Sequence, residues 1–178
     1  DLHPPMYFTL LSVWIKLFGR EDYVLRLLSV AIGLGTVLVS YRLALRWYGR
    51  RAAWVVLLLT ATAPGLCYIS QEVRNQILLA LTATLALSAL GRWAEGQRPH
   101  WLFLYGLAGG ACLYTNYHGL ALLASLAAAS IAFLGPRLTI LRWEWLAAHL
   151  LIAVLFLPWL GVFLTQEAEM RSFLASGT

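Results

Sequence analysis

The sequence carries little charge. Of its 178 residues only 12% are Asp, Glu, Lys or Arg, and 61% are hydrophobic. A soluble globular domain has about 25% charged residues, so this chain cannot hide its apolar surface in one soluble core. The mean hydropathy of +0.73 instead favours an integral membrane protein.

Cysteine and the common catalytic motifs are also scarce. Cys67 and Cys112 are the two cysteines, with no Cys-x-x-Cys pair and no histidine at metal-ligand spacing, so we interpret them as buried thiols. The sequence has no Gly-rich phosphate loop, no His-Glu-x-x-His and no Ser/His/Asp order. Redox chemistry, nucleotide hydrolysis and proteolysis are therefore not indicated.

What fills the chain is a series of long apolar segments separated by short polar turns. Their lengths predict an all-α membrane domain with about six membrane-crossing helices. The predicted spans are Tyr23 to Trp47, Ala52 to Ser70, Gln76 to Trp93, Trp101 to Tyr114, Gly119 to Leu134 and Trp145 to Thr165. We expect a break at Pro64 and Gly65, a bend at Pro158, and helix packing at Gly106 and Gly110.

The segment Met6 to Phe18 has apolar residues at helical spacing but is too short to cross a membrane. It predicts an amphipathic helix in the interface. The whole chain, 1–178, is then one transmembrane domain. Residues 1–22 form an outer loop and the interfacial helix, 23–165 the six spans, and 166–178 an outer tail.

The net charge is +5, but the thirteen basic residues are scattered over short loops, so nucleic acid is not an expected partner. Their distribution indicates orientation, because cytoplasmic loops hold the excess of Lys and Arg. One side has more arginine than acid: Arg42, Arg46, Arg50, Arg51, Arg92, Arg98, Arg137 and Arg142 against Glu95 and Glu144. We predict that this side is cytoplasmic and that residue 1, the turns at 71–75 and 115–119, and the tail lie outside.

Four polar segments meet on that predicted outer face. They are residues 1–5, residues 70–75, residues 114–118 and the tail with Glu167, Glu169 and Arg171. In a membrane protein, an ionisable residue near a helix end marks a functional site more readily than in a soluble one, because burying it is costly. Their convergence predicts a site on this face.

Pro4 and Pro5 would hold His3 at a defined place, although a Pro-Pro pair can also simply start a helix and leave His3 solvated. Gln71 and Arg74 are three residues apart, so on a helix opening the third span they would share a face. Glu72 would then point about 100° away.

The guanidinium of Arg74 suits a phosphate, and the alternative is a solvated ion pair with Glu72 worth under about 1 kcal/mol. His118, in the tight outer turn beside Tyr117, could hydrogen-bond a sugar hydroxyl or ligate a metal. His149 is expected to be a packing residue inside the sixth span.

Several runs resemble bacterial C-class membrane glycosyltransferases of the protein O-mannosyltransferase and aminoarabinose-transferase type (glycosyltransferase family 39-like). The first is Asp-Leu-His-Pro-Pro-Met-Tyr-Phe at 1–8, with Met6 where the family usually has Leu. The others, in order, are residues 14–19, 26–29, 46–53, 68–74 and 113–118. In the last run the family often has Tyr-Thr-His-Tyr. The resemblance covers nearly all of residues 1–142, and beyond Trp143 it consists of another apolar span.

The resemblance implies transfer of a sugar from a polyprenyl-phosphate-linked donor, with inversion, at the outer face of a bacterial cytoplasmic membrane. The acceptor would be a lipid, a glycan or a protein. His3 and Arg74 would bind the donor phosphate, and Gln71 and Glu72 would position the sugar or the loop. Tyr117 and His118 would border the cavity.

The general base of the family is an acidic residue in the first outer loop, which would precede Asp1, so we expect this segment to lack it. Asp1 and Glu72 are the acidic candidates for catalytic roles within the segment. Asp1 is placed to bind the acceptor or a divalent metal, which some relatives use.

Two other functions stay open on the sequence alone. A transporter or flippase-like protein would use the same spans as a path and would need polar or charged groups near the membrane midplane, where this sequence has almost none. A non-catalytic scaffold would bind partners through its helices.

Overall fold

A computed structural model describes the backbone of residues 4–96, 98–135 and 139–176, and the side chains of those residues up to 165. The described residues form α-helices and no β-strand, which confirms the all-α part of the predicted fold class. The helices are α1 (Met6–Phe18), α2 (Asp22–Thr62), α3 (Pro64–Gln71), α4 (Gln76–Gly96), α5 (Pro99–Thr115), α6 (His118–Leu134) and α7 (Trp143–Ser176).

Helix α2 folds back on itself at Gly49. This residue has φ 82° and ψ −179°, a left-handed φ that glycine adopts without a Cβ clash. The rings of Tyr41 and Trp54 lie 5.6 Å apart. In a straight helix these two positions would be about 20 Å apart along the axis. Residues 22–48 and 50–62 are therefore two antiparallel arms, and the turn falls where the sequence predicts the first two spans to meet.

The second arm ends at Ala63, which has an extended conformation, and Pro64 then starts α3. Proline is tolerated in the first turn of a helix but not in its interior, so the chain breaks here. The predicted break at Pro64 and Gly65 is confirmed. Helix α3 continues back along the first arm of α2, because a Cβ on Gly33 would lie 3.1 Å from the Cβ of Ser70.

Helix α4 runs parallel to the first arm of α2. Near its start, a Cβ on Gly33 would lie 3.5 Å from Ile77 Cδ1. Near its end, the Trp47 indole Nε1 donates a hydrogen bond of 2.8 Å to Glu95. The second contact lies nearer the C-terminus of both helices than the first, so the two helices are parallel. Helix α4 therefore ends at the end of the bundle where Gly49 lies.

Helix α5 runs antiparallel to α4. The Cys112 thiol, buried as predicted, lies 3.2 Å from the Thr82 hydroxyl, and the Arg92 guanidinium lies 4.6 Å from the centre of the Trp101 ring. Cys67, in contrast, is only half-buried.

Helix α6 is antiparallel to α5 and α7. A Cβ on Gly119 would lie 3.0 Å from the Cys112 backbone. At the other end of α6, the Trp145 indole Nε1 donates to the Ser130 hydroxyl at 3.2 Å. Helix α6 therefore returns the chain so that α7 runs parallel to α5.

The contact between α5 and α7 is made possible by glycine. A Cβ on Gly106 would lie 2.8 Å from Leu151 Cδ2, and one on Gly110 would lie 2.7 Å from Leu155 Cδ1. These distances are shorter than carbon atoms tolerate, so the close approach depends on the missing side chains. The predicted packing role of this glycine pair is confirmed.

His149 packs inside the same contact. One ring nitrogen lies 3.3 Å from the Tyr105 hydroxyl and the other lies 2.9 Å from the Trp145 carbonyl oxygen. Both nitrogens therefore have partners, in agreement with the predicted packing role. Pro158 lies inside α7, and the bend expected there stays a prediction.

Because the segments alternate in direction, their connections gather at two ends of the bundle. We call the end with residues 19–21, 72–75 and 116–117 the polar end, and the end with Gly49, Arg98 and the α6–α7 connection the arginine-rich end. Among the residues that the structure describes, three helical stretches are long and apolar enough to cross a membrane: Asp22–Thr62, Gln76–Gly96 and Trp143–Thr165. The chain is thus a helical membrane protein, while the count of six spans and the division of the domain stay predictions.

Helix α1 docks against the bundle near the polar end. The buried Tyr7 hydroxyl lies 2.9 Å from the Ser29 hydroxyl, and the Trp14 indole donates to the Val24 carbonyl oxygen at 2.8 Å. Its other face is open, with Leu17 70% exposed. The predicted helix at 6–18 is confirmed, and its place in the membrane interface stays a prediction.

Candidate functional site

The polar segments singled out in the sequence contact one another at the polar end. The buried Asn75 side chain donates to the Thr115 carbonyl oxygen at 2.9 Å. The Thr115 hydroxyl, which donates to the Ala111 carbonyl oxygen at 2.7 Å, lies 3.7 Å from the Met6 sulfur. The turn at 72–75, the end of α5 and the start of α1 are therefore held together, although they are far apart in the sequence.

A polar pocket of about 410 Å³ opens beside the turn at 72–75. Its lining residues come from the start of α2, the end of α3 and the turn itself. They are Arg26, Tyr68, Gln71, Glu72, Val73 and Arg74. The structure therefore brings together three residues that the sequence analysis selected, Gln71, Glu72 and Arg74.

The local geometry of these three residues differs from the prediction. Helix α3 ends at Gln71, Glu72 is extended with φ −97° and ψ 150°, and α4 begins only at Gln76. Arg74 therefore lies in the turn and shares no helix face with Gln71. The expectation that Glu72 points away from Arg74 is also wrong, because Arg74 Nε lies 2.9 Å from Glu72 Oε2.

The Glu72–Arg74 ion pair holds Arg74 loosely. The Arg74 side chain is 61% exposed and that of Glu72 is 27% exposed. Glu72 Oε2 is itself buried, and no described donor is oriented to hydrogen-bond it. The contact with Arg74 is therefore an electrostatic ion pair and not an aligned hydrogen bond. Such exposed pairs contribute at most about 1 kcal/mol, so Arg74 can exchange this carboxylate for another anion at little cost.

Tyr68 borders Glu72 on the α3 side of the pocket, at the polar end and outside the three described stretches that are long and apolar enough to cross a membrane. The pKa of its phenol is raised, chiefly by a hydrogen bond to the Glu72 carboxylate and then by the negative charge of that carboxylate. A phenol that stays protonated is a hydrogen-bond donor. The protonated Tyr68 hydroxyl therefore offers a hydrogen-bond donor beside the Glu72 carboxylate.

Arg26 is the pocket residue that the sequence analysis missed as a site residue. It is an exposed side chain in the second turn of α2. With Arg74 it gives the pocket two guanidinium groups against the single carboxylate of Glu72, an excess of one positive charge. The sequence could have indicated Arg26, because this arginine lies near the outer end of a predicted span, whereas basic residues are usually in excess on the cytoplasmic side.

Tyr117 and His118 lie at the polar end but do not line the pocket. The Tyr117 hydroxyl accepts a 3.0 Å hydrogen bond from the Trp159 indole, and its ring lies 4.8 Å from that of Phe163. The exposed His118 has Nδ1 2.7 Å from the Asn116 side-chain oxygen. Tyr117 thus anchors the turn to α7, and the predicted cavity roles of both residues stay predictions.

Asp1 and His3 fall outside the described residues, as do the side chains of Glu167, Glu169 and Arg171. Their predicted roles stay predictions. Over the part of the chain that the structure describes, no group of three His, Cys, Asp or Glu residues is placed to hold a metal ion.

A second, apolar groove of about 580 Å³ lies at the same end, between α1, α5 and α7. Pro5, Met6, Thr9, Leu10 and Val13 form one wall, and Gly110, Ala111, Tyr114 and Leu155 form the other. Its lining is almost entirely apolar, which suits a hydrocarbon chain.

Comparison with known proteins matches the chain to a family model. The model of a family described as dolichyl-phosphate-mannose-protein mannosyltransferase matches residues 2–161, a range that includes the lining of both the pocket and the groove. No curated protein and no solved structure matches the chain.

Proposed function

The chain belongs to the dolichyl-phosphate-mannose-protein mannosyltransferase family, and on that premise we propose that it moves a sugar from a polyprenyl-phosphate donor to an acceptor. The transfer takes place at the outer face of the membrane and inverts the anomeric carbon. The observation that carries the proposal is the pocket at the polar end, where Arg26 and Arg74 outnumber the single carboxylate of Glu72.

Arg26 and Arg74 bind the donor phosphate in this proposal. Negative charge grows on the phosphate as the sugar leaves, and fixed cations stabilise that charge most when it is largest. Arg74 is free to turn from Glu72 to the phosphate, because its side chain is 61% exposed and its ion pair lies within the same turn. His3 is proposed as a third phosphate ligand from the resemblance.

Glu72 and Gln71 contact the sugar. Glu72 Oε2 is a buried acceptor without an aligned donor, and a sugar hydroxyl would supply one. Gln71 is exposed beside it and offers both an amide donor and a carbonyl acceptor. Asp1 is proposed as a ligand for the acceptor or for a divalent metal, and Tyr117 and His118 as the border of the acceptor side.

The polyprenyl chain lies in the apolar groove between α1, α5 and α7. A lipid-linked donor reaches its site sideways from the bilayer, with its phosphate at headgroup depth. The exposed apolar face of α1 is consistent with that depth, since a short amphipathic helix settles at the boundary between headgroups and acyl chains. The acceptor is a lipid, a glycan or a protein.

The orientation follows from the arginine-rich end. An excess of arginine marks the cytoplasmic side, so the polar end faces outward, in the cytoplasmic membrane of a bacterium. Solute transport is less well supported by the bundle interior. Among the described side chains, the buried polar ones are hydroxyls and amides rather than charged groups.

The test is a transfer assay with the full-length protein, including its first outer loop, reconstituted in vesicles. Radiolabelled polyprenyl-phosphate sugars are supplied one at a time, and label is followed from the lipid to lipid, glycan and protein fractions. The proposal expects label to leave at least one donor. If no donor loses label while the same vesicles show solute flux, the protein is a transporter.

A further inference from the structure

A groove of about 470 Å³ opens at the arginine-rich end, between the first arm of α2, α4 and α5. Arg42 of α2 and Arg92 of α4 line it, together with Trp101 of α5. The remaining surface is mainly aliphatic, with Leu85, Leu104 and Leu107 among the lining residues. It lies at the opposite end of the bundle from the pocket of the proposed transfer reaction.

Among the described side chains, no carboxylate forms an ion pair with either arginine of this groove. The ion pairs that the described residues form at this end join Arg46 with Glu95 and Arg142 with Glu144, and neither includes Arg42 or Arg92. In a low-dielectric environment, positive charge is stabilised by a nearby anion. The expected ligand of this groove is therefore an anion.

Arg92 is held in place without a carboxylate. Its guanidinium carbon lies over the Trp101 ring, 4.6 Å from the ring centre, and Trp101 also lines the groove. A cation–π contact of this kind leaves guanidinium N–H groups that can donate to phosphate oxygens.

The groove has polar groups near its mouth and apolar groups deeper in the bundle. Arg42 lies about 10 Å along the helix from the turn at Gly49, a depth from which an arginine side chain reaches the headgroup layer. Leu85 lies about two turns deeper than Arg92 on the same helix. Along the membrane normal, the groove is charged near its mouth and aliphatic deeper in the bundle. A phospholipid has the same order, with a charged headgroup and then acyl chains.

We propose that an anionic glycerophospholipid of the leaflet at the arginine-rich end occupies this groove. Its phosphate lies between Arg42 and Arg92, and an acyl chain covers the leucine surface. A zwitterionic phospholipid is the weaker ligand, because its own cation adds to the positive charge already present. A soluble phosphate lacks the chain that the leucine surface requires.

Native mass spectrometry of the detergent-solubilised full chain tests this site. The protein is mixed with phosphatidylglycerol and phosphatidylcholine of identical acyl chains, and the ratio of the two bound lipids is measured. We expect phosphatidylglycerol to be preferred, and Arg42→Gln or Arg92→Gln each to lower the preference about fivefold.

Matched controls separate the groove from general charge. Arg98→Gln removes an exposed arginine at the same end that does not line the groove, and it should keep the wild-type ratio. Arg42→Lys and Arg92→Lys keep the charge and should keep most of the preference, and thermal unfolding of every variant establishes that it is folded.

Equal binding of the two lipids would overturn the proposal. So would an equal loss in Arg98→Gln, displacement by inorganic phosphate, or preferential binding of a polyprenyl phosphate over phosphatidylglycerol.

Discussion

Asn75 donates its side-chain amide to the Thr115 carbonyl oxygen across 2.9 Å and so joins the α3–α4 turn to the end of α5. Both residues are buried, and the bond lies next to the turn that carries Glu72 and Arg74. This long-range side-chain bond therefore helps to hold the turn that carries the polar pocket against α5.

Replacing Asn75 with Ala should destabilise the protein by about 1–3 kcal/mol, because it leaves the buried Thr115 carbonyl oxygen without this partner. Transfer activity should also fall, since the turn that carries the pocket loses its hydrogen bond to α5. Thermal unfolding in detergent measures the first effect and the label-transfer assay the second. Gln76→Ala changes the exposed next residue and should leave the unfolding temperature nearly unaltered.

Arg26→Gln and Arg74→Gln should each lower kcat/KM for the lipid donor by about tenfold to a hundredfold, the range expected for a lost hydrogen bond to a charged group. The measurement is transfer rate against donor concentration. Arg98→Gln, at the other end of the bundle, is the matched control. Equal losses in all three variants would contradict the assignment of the pocket.

Glu72→Gln should lower the pKa of Tyr68 toward its ordinary value, because the carboxylate that disfavours the phenolate is gone. In the wild type the phenol therefore stays neutral to higher pH than in the variant. Ultraviolet difference titration isolates this residue when each protein is compared with its own Tyr68→Phe partner. A Tyr68 titration that is the same in both backgrounds would show that the two side chains do not interact.

Gly49→Ala should destabilise the fold by about 1–3 kcal/mol, because a φ of 82° with a ψ of −179° is a conformation that residues with a Cβ rarely adopt. The φ of 82° at this turn is what allows α2 to reverse. Gly65→Ala is the control, because a Cβ there meets nothing within 4 Å and the residue is helical. The comparison uses the midpoints of thermal unfolding, and similar midpoints for the two variants would contradict the strained turn.

Cysteine labelling tests the orientation of the two ends. In a background with Cys67→Ser and Cys112→Ala, Gln71→Cys should react with an impermeant maleimide added outside intact cells. Arg50→Cys should react only after the cells are opened, because it lies at the arginine-rich end. The reverse pattern would place the pocket inside the cell and end the proposal of an outer-face enzyme.

Local features of the structure were predictable because they arise from neighbouring residues. The apolar lengths indicated the helices, Pro64 the break before α3, and the run Gly49-Arg50-Arg51 the connection between the first two predicted spans. The candidate site was only partly predictable. Gln71, Glu72 and Arg74 are close in the sequence and stay together in the pocket, but the helix assumed for Arg74 does not extend to it.

The sequence by itself determined that this is a helical membrane protein of the mannosyltransferase family and that its polar turns gather at one end. Hydrophobic length, proline and glycine act over a few residues, so their effects can be read along the chain. Only the tertiary structure decided that Arg26 joins the pocket, that Tyr117 turns to α7 instead, and that Arg42 and Arg92 share a groove. These relationships depend on how whole helices pack against each other, and interhelical packing is set by many distant side chains at once.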